Sequence, residues 1–153
     1  MAIAYIGIGT NLGDRRANIG RAGRLLVERN ALCITGESSI EETCPVDYVD
    51  QPRFLNRVVR GSTDCPPAEL FARLARIEAD MGRVRVIRGG ARIIDLDILL
   101  YDDVVMKTAD LVIPHPRIKE RMFVLKHLIE IDPELADPET NEPYREVLLR
   151  WRG

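Results

Sequence analysis

The stretch Ile93-Ile94-Asp95-Leu96-Asp97-Ile98-Leu99-Leu100-Tyr101 decides the fold. It lies between Gly89-Gly90 and Asp102-Asp103, and it is too short for a buried helix, so it reads as a strand. Successive side chains of a strand point to opposite faces. Asp95 and Asp97 therefore share one face, while Ile94, Leu96, Ile98 and Leu100 are expected to project from the other into a core.

Upstream, Pro66-Pro67 opens a helix whose stripe Leu70, Phe71, Leu74 and Ile77 should face the core until Gly82 stops it. Phe54 to about Gly61 reads as a strand, and the polar, proline-bearing segment from Glu41 to Pro52 as an exposed loop. Leu32 to Ile40 reads as another strand. Ile19, Ala22 and Leu26 recur at helical spacing and place a helix from about Arg15 to Arg29, capped by Asp14. Ala2 to Ile8 is a buried strand entering a turn at Gly7-Ile8-Gly9. The order is βαββαβ, the pattern of an α+β, ferredoxin-like fold with helices packed on an antiparallel sheet. Downstream, Ile113-Pro114-His115-Pro116, a helix near Phe123 to Ile131 and a short helix near Tyr144 to Trp151 form a C-terminal extension.

The bulk properties narrow the function classes. A chain of 153 residues fits one domain, here 1–153. With 46% hydrophobic and 30% charged residues and a net charge of -2, it is not disordered. No apolar run reaches the roughly 18 to 20 residues that span a bilayer, and the opening MAIAYIGIGT lacks the basic start of a signal peptide. A cytoplasmic monomer without membrane or nucleic-acid partners is expected; a pI of 5.8 is far from that of a general nucleic-acid surface. Cys33, Cys44 and Cys65 have neither the count nor the spacing of a disulfide framework or zinc site.

Two carboxylates on one strand face repel, and hard oxygen ligands of this kind select magnesium bound together with substrate phosphates; the plain alternative is two solvated acids. Arg83, Arg85, Arg88 and Arg92 crowd the segment just before the strand. Their planar forks suit phosphate, though such a run is also what a solvated loop looks like. His115 lies in a rigid stretch between prolines and is either a phosphate or nucleotide donor or a structural residue. Phe54 and Phe123 are core candidates or rings that stack on a flat heterocycle. Asn56 can both donate and accept at a heterocycle's edge, or it closes a strand end.

These motifs resemble 6-hydroxymethyl-7,8-dihydropterin pyrophosphokinase of the folate pathway, and the resemblance runs through nearly the whole chain. It is carried by Ala4 to Asp14, by Asp50-Gln51-Pro52-Arg53-Phe54-Leu55-Asn56, by Glu78 with Gly82-Arg83-Val84-Arg85, by Arg92 to Leu99, and by Ile113-Pro114-His115-Pro116 with Arg121-Met122-Phe123-Val124-Leu125. The resemblance implies the ferredoxin-like fold and transfer of pyrophosphate from ATP to the pterin hydroxymethyl group. It implies two Mg2+ ions on Asp95 and Asp97, and Arg83 and Arg92 acting on the phosphates as catalytic residues. Glu78, Arg85, Arg88, Ile98, His115 and Arg121 would serve the nucleotide; Thr43, Val46, Phe54, Asn56 and Phe123 would line the pterin pocket.

The chain departs from the family pattern in three places. Arg88-Gly89-Gly90-Ala91-Arg92 replaces a run with an aromatic residue, and the loop from Arg83 to Arg92 is expected to be mobile until it closes on phosphate. Cys44 stands where proline is often found. His127 also replaces a proline, and is expected to be structural only. Two rivals remain at this point: a non-catalytic nucleotide or pterin sensor, and an RNA-binding module of the same fold, which should show stacking aromatics where this strand has acids.

Overall fold

The structure, a computed structural model, describes residues 1–45, 50–83 and 91–151. The chain runs β1 (Ala2–Thr10), α1 (Arg15–Glu28), β2 (Cys33–Glu37), β3 (Glu41–Thr43), β4 (Phe54–Thr63), α2 (Pro67–Asp80) and β5 (Asp95–Tyr101). A small hairpin of β6 (Met106–Lys107) and β7 (Val112–Ile113) follows, then a 3-10 turn at Ile118–Glu120, α3 (Met122–Ile131) and α4 (Tyr144–Leu149). The sheet order is β2-β4-β1-β5, antiparallel throughout, with β3 also paired to β4. This is the ferredoxin-like arrangement expected from the element order.

Local chemistry explains the elements. The Asp14 side chain accepts from Ala17 N and starts α1, and proline at the first position of α2 loses no helical hydrogen bond. Both helices bury one stripe on one face of the sheet. Ile19, Ala22 and Leu26 of α1 join Leu70, Leu74 and Ile77 of α2 against Ala4, Ile6 and Ile8 of β1 and Leu96 and Ile98 of β5. The opposite face carries a second core, in which Val124, Leu125 and Leu128 of α3 and Tyr144 and Val147 of α4 cover Tyr5, Val58, Leu99 and Leu100. The sheet is therefore the middle of three layers, and the C-terminal extension supplies the third.

Three expectations are corrected. Leu100 does not share the face of Leu96 and Ile98. Tyr5 pairs with Leu100 and Ile6 with Ile98, so Leu99 is an extra residue on β5, and such a bulge reverses the alternation beyond it. Leu99 and Leu100 both enter the second core, and Tyr101 returns to the first, donating its hydroxyl to Cys65 O at 2.8 Å. Residues Glu41–Thr43 are not loop but strand. Glu37 pairs with Val59 and Glu41 with Asn56, so one extra residue sits on this edge. Ser38 absorbs it: its N–H donates to Val58 O and its hydroxyl accepts from Val58 N, both at 2.9 Å. Phe71 lies outside the core stripe of α2 and is 41% exposed.

The edge pairing depends on Gly61, opposite Ile34. A Cβ there would sit 2.4 Å from Cys33 O and 2.6 Å from Leu32 Cγ. Overpacking of this kind typically costs about 1–3 kcal/mol, so Gly61→Ala is expected to lower the unfolding free energy by that amount, read as a lower midpoint in urea. A variant as stable as its parent would show that β2 is not held this closely.

Candidate functional site

The two cores leave a gap where β1 has no side chains. Gly7 and Gly9 face the α3 side of the sheet, alternating with Ile6 and Ile8 on the other side, and together they floor a pocket. A Cβ on Gly9 would come within 3.1 Å of Asn56 Oδ1, so the floor has no room for a larger residue without displacing that amide. Phe54, Asn56 and Val58 of β4 form one wall, and Arg121, Phe123 and Val124 at the start of α3 form another. Asp95, Asp97 and Leu99 of β5 line the third side with Arg92, and Thr43, Cys44 and Gln51 close the rim.

One end of this pocket suits a flat polar heterocycle. Asn56 Nδ2 donates to Thr43 Oγ1 at 2.6 Å, which fixes the amide orientation at the pocket wall. Phe54 and Phe123 bring two rings to the same cavity.

The other end is ionic. Asp95 is flanked by two guanidinium groups, Arg83 Nη1 at 3.0 Å from Oδ1 and Arg92 Nη1 at 3.1 Å from Oδ2. Arg92 also stands over the Phe54 ring at 5.7 Å from its centroid, a cation–π contact. Arg83 is half-buried beside Glu78, to which it is also bonded, and Glu78 Oε2 accepts from Leu96 N at 2.7 Å. Burial pushes the Glu78 carboxyl up, against the bonds from Leu96 and Arg83 that favour its charge.

Asp97 is in a different position from its neighbour. No described residue donates a hydrogen bond to its carboxylate, and burial, followed by the charge on Asp95, raises it to about 7, with Arg121 the main opposing influence. His115 is pushed down to about 4 by burial and then by Arg121, so its ring is neutral near pH 7. Its Nδ1 accepts from Arg117 N at 3.2 Å, and the His115 backbone N–H donates to Leu99 O at 2.9 Å.

The structure thus gathers Asp95, Asp97, Arg92, Arg121, Thr43, Phe54, Asn56 and Phe123 around one cavity. Glu78, Arg83 and His115 are not part of its wall; they stand behind it. Ile98 turns its side chain into the first core, on the face away from the pocket. Val46, Arg85, Arg88 and Gly89-Gly90 lie outside the described residues.

A residue without an expected role joins the two sides. Asn11, 2% exposed, accepts from Arg92 N at 2.8 Å through Oδ1, and its N–H donates to Arg92 O at 3.1 Å. Its Nδ2 donates to Gln51 Oε1 at 2.8 Å and Pro52 O at 2.9 Å. One buried amide therefore fixes both the backbone that carries Arg92 and the segment leading to Phe54. An asparagine after a strand is an ordinary turn signal, so sequence gave no sign of partners 40 and 81 residues away.

With the site in place, comparison with known proteins is informative. The family model for 7,8-dihydro-6-hydroxymethylpterin-pyrophosphokinase matches residues 5–133. The chain is 44% identical over 151 residues to the 2-amino-4-hydroxy-6-hydroxymethyldihydropteridine pyrophosphokinase of Bacillus subtilis, covering 98% of this chain and 90% of that one. It is 37% identical to the protein of the same name from Aquifex aeolicus, again over 90% of the relative. It is 45% identical to a mitochondrial folate synthesis bifunctional protein of Arabidopsis thaliana, but spans only 26% of that longer chain. Among solved structures, Plasmodium falciparum HPPK-DHPS superposes with a TM-score of 0.76 over 98% of this chain and 44% of its own, at 18% identity, a likeness of fold.

The Asp97 environment has a consequence for metal-free stability. A carboxyl whose folded value is about 7, against 3.8 ordinarily, binds its proton more tightly in the folded state. Folding is favoured below the ordinary value and loses that contribution as pH rises toward about 7. In chelator-treated protein, Asp97→Asn is expected to flatten this decline and to gain on the order of a few kcal/mol above it. Urea titrations across this range check it; parallel curves for parent and variant would show that Asp97 is well solvated.

Proposed function

The chain belongs to the 7,8-dihydro-6-hydroxymethylpterin-pyrophosphokinase family, and from that premise we infer that it transfers pyrophosphate from ATP to the hydroxymethyl group of 6-hydroxymethyl-7,8-dihydropterin in folate biosynthesis. The products are AMP and the pterin pyrophosphate. The observation that carries this reading to the site is the placement of an aromatic, amide-edged slot and a pair of strand carboxylates in one cavity. Relatives named as pyrophosphokinases over most of their length leave the sensor reading without support.

In the mechanism we propose, the pterin ring lies between Phe54 and Phe123, with its polar edge on Asn56 and Thr43 and its hydroxymethyl group toward Asp97. Offset stacking adds roughly 0.5–1.5 kcal/mol beyond area burial, and an amide pre-set by Thr43 needs no reordering when the substrate arrives.

Asp95 and Asp97 are the proposed ligands of two magnesium ions. Among the described residues no three acidic, histidine or cysteine groups converge on one point. Two carboxylates are enough for magnesium, which leaves most of its octahedral shell to water and phosphate oxygens. The Asp97 carboxylate, raised to about 7 and given no hydrogen bond by a described residue, is the group with most to gain from a cation. When bound, the metal would neutralise charge on the transferring and leaving oxygens.

Arg83 and Arg92 are the proposed phosphate-handling residues. Both are paired with Asp95, and Arg83 with Glu78 as well. A cation on Asp95 would weaken those pairs, and a phosphate arriving with it offers each guanidinium a better-matched acceptor. Glu78 would then hold Arg83 from behind while anchoring the start of β5 through Leu96 N. Neutral His115 would present a hydrogen bond rather than a charge to the nucleotide, and Arg121 a charge. Arg85, Arg88, Val46 and the backbone at Ile98 complete the proposed contacts. No described helix is long and apolar enough to cross a membrane, and we propose that the protein works as a monomeric, single-domain enzyme in the cytoplasm.

Product identity tests the reaction type. With ATP, magnesium and the dihydropterin, AMP should appear, and it should vanish when pterin or metal is withheld; ADP as the main product would refute pyrophosphoryl transfer. Asp95→Ala and Asp97→Ala are each expected to lose roughly a hundredfold or more in rate, the usual scale for removing a transition-state charge partner, while remaining folded by circular dichroism. Near-normal turnover of either at saturating magnesium would remove the metal role from that residue.

A further inference from the structure

Helix α3 buries an imidazole that the chemistry above does not use. His127 is 1% exposed, and neither ring nitrogen has a hydrogen-bond partner among the described residues. A neutral imidazole carries one donor and one acceptor, and buried polar groups are nearly always satisfied, so this ring is held at a cost. Two contacts define its place. Phe123, one turn earlier, meets it edge-on, with ring centroids 6.3 Å apart and planes at 68°; the same Phe123 lines the pocket. On the other side Nε2 lies 3.5 Å from Glu41 Oε1, at the start of β3 and two residues before Thr43.

The same stretch of chain is tied to α3 twice more. Lys126 Nζ is 3.2 Å from Glu41 Oε1. The Glu130 carboxylate accepts from Ser39 N at 2.9 Å and from its hydroxyl at 3.0 Å. Since Thr43 in turn accepts from Asn56, the aromatic wall and the amide wall of the pocket meet at the His127–Glu41 contact.

We propose that His127 is a positioning residue for the dihydropterin: neutral, it backs the Phe123 ring against the substrate; protonated, it is drawn onto Glu41 and withdraws that support, so pterin affinity falls on acidification. This rests on the pterin reading of the pocket. An imidazolium makes a short, charge-assisted bond to a carboxylate, and where the imidazole turns to close the 3.5 Å gap to Glu41 its ring moves relative to Phe123. The charged groups around it are Glu41 on β3, Glu130 and Lys126 on α3 and Arg57 on β4. Burial is the largest influence and keeps the ring neutral; the two acids favour the proton and the two bases oppose it. The switch therefore operates only as pH falls below the ordinary histidine value of 6.5.

The test is the dihydropterin Kd, read by its fluorescence without nucleotide or metal from about pH 8 to about pH 5, for the parent, His127→Leu, His127→Gln and Glu41→Gln. Asp97 titrates in all of them, so the difference between profiles reports His127. The parent is expected to weaken on acidification by about fivefold more than His127→Leu, equivalent to about 1 kcal/mol. The chain has two histidines, so the His127 proton resonance is assigned by its loss in the variant. Its midpoint should coincide with the inflection in Kd and move to lower pH in Glu41→Gln. Superimposable profiles for parent and variant, or a Kd inflection through which the His127 resonance does not change, overturn the proposal. If His127→Leu does not fold, His127→Gln and the parent resonance decide it. A parent that binds no pterin even at about pH 8 overturns the pocket reading instead.

Discussion

Two carboxylates two residues apart on one strand face cannot both give up water and both stay ionised without a positive partner. That constraint organises this molecule. Asp95 is matched by two guanidinium groups, Arg83 and Arg92, each within 3.1 Å. Asp97 has no such match and holds its proton up to about pH 7. The site is thus half neutralised by protein; in the proposed reading the other half is left for a cation, which would tie metal occupancy to the position of the same arginines.

The fold provides this by division of labour between the two faces of the sheet. The face under α1 and α2 is an apolar core. The other face is covered only in part by α3 and α4, and the missing side chains at Gly7 and Gly9 make the uncovered part a cavity. The bulge at Leu99 separates the two uses of β5: Asp95 and Asp97 precede it, and Leu99 and Leu100 anchor the second core after it. Asn11 closes the arrangement, since the main chain of Arg92 and the segment before Phe54 hang on one side-chain amide.

Much of this was legible in the sequence because it depends on period and on local stops. The βαββαβ order and the shared face of Asp95 and Asp97 follow from alternation and from Gly and Pro punctuation. What was not legible is non-local. Alternation cannot reveal that Leu99 is an inserted residue, because the insertion exists only relative to β1. The strand at Glu41–Thr43 is polar, without a hydrophobic period, and forms because Ser38 takes up an extra residue against β4. Phe71 fits the helical stripe by spacing yet lies at its margin, 41% exposed. The gathering of eight of the expected site residues in one cavity owed most to family motifs, since Phe54, Asn56 and Phe123 carry no chemical signature of their own. His127, a substitution that looked merely structural, gained meaning only from its distance to Glu41.

Asp97, raised by burial and by the charge on Asp95, is proposed to give up its proton when a cation binds. Isothermal titration of magnesium and a non-hydrolysable ATP analogue into the protein, repeated near pH 7 in buffers of different ionisation enthalpy, measures this directly, because metal ligation releases the proton held by a ligand. The expected binding heat varies with buffer, corresponding to a substantial fraction of one proton released, and this dependence is lost in Asp97→Asn. The same heat in every buffer for the parent protein would contradict it.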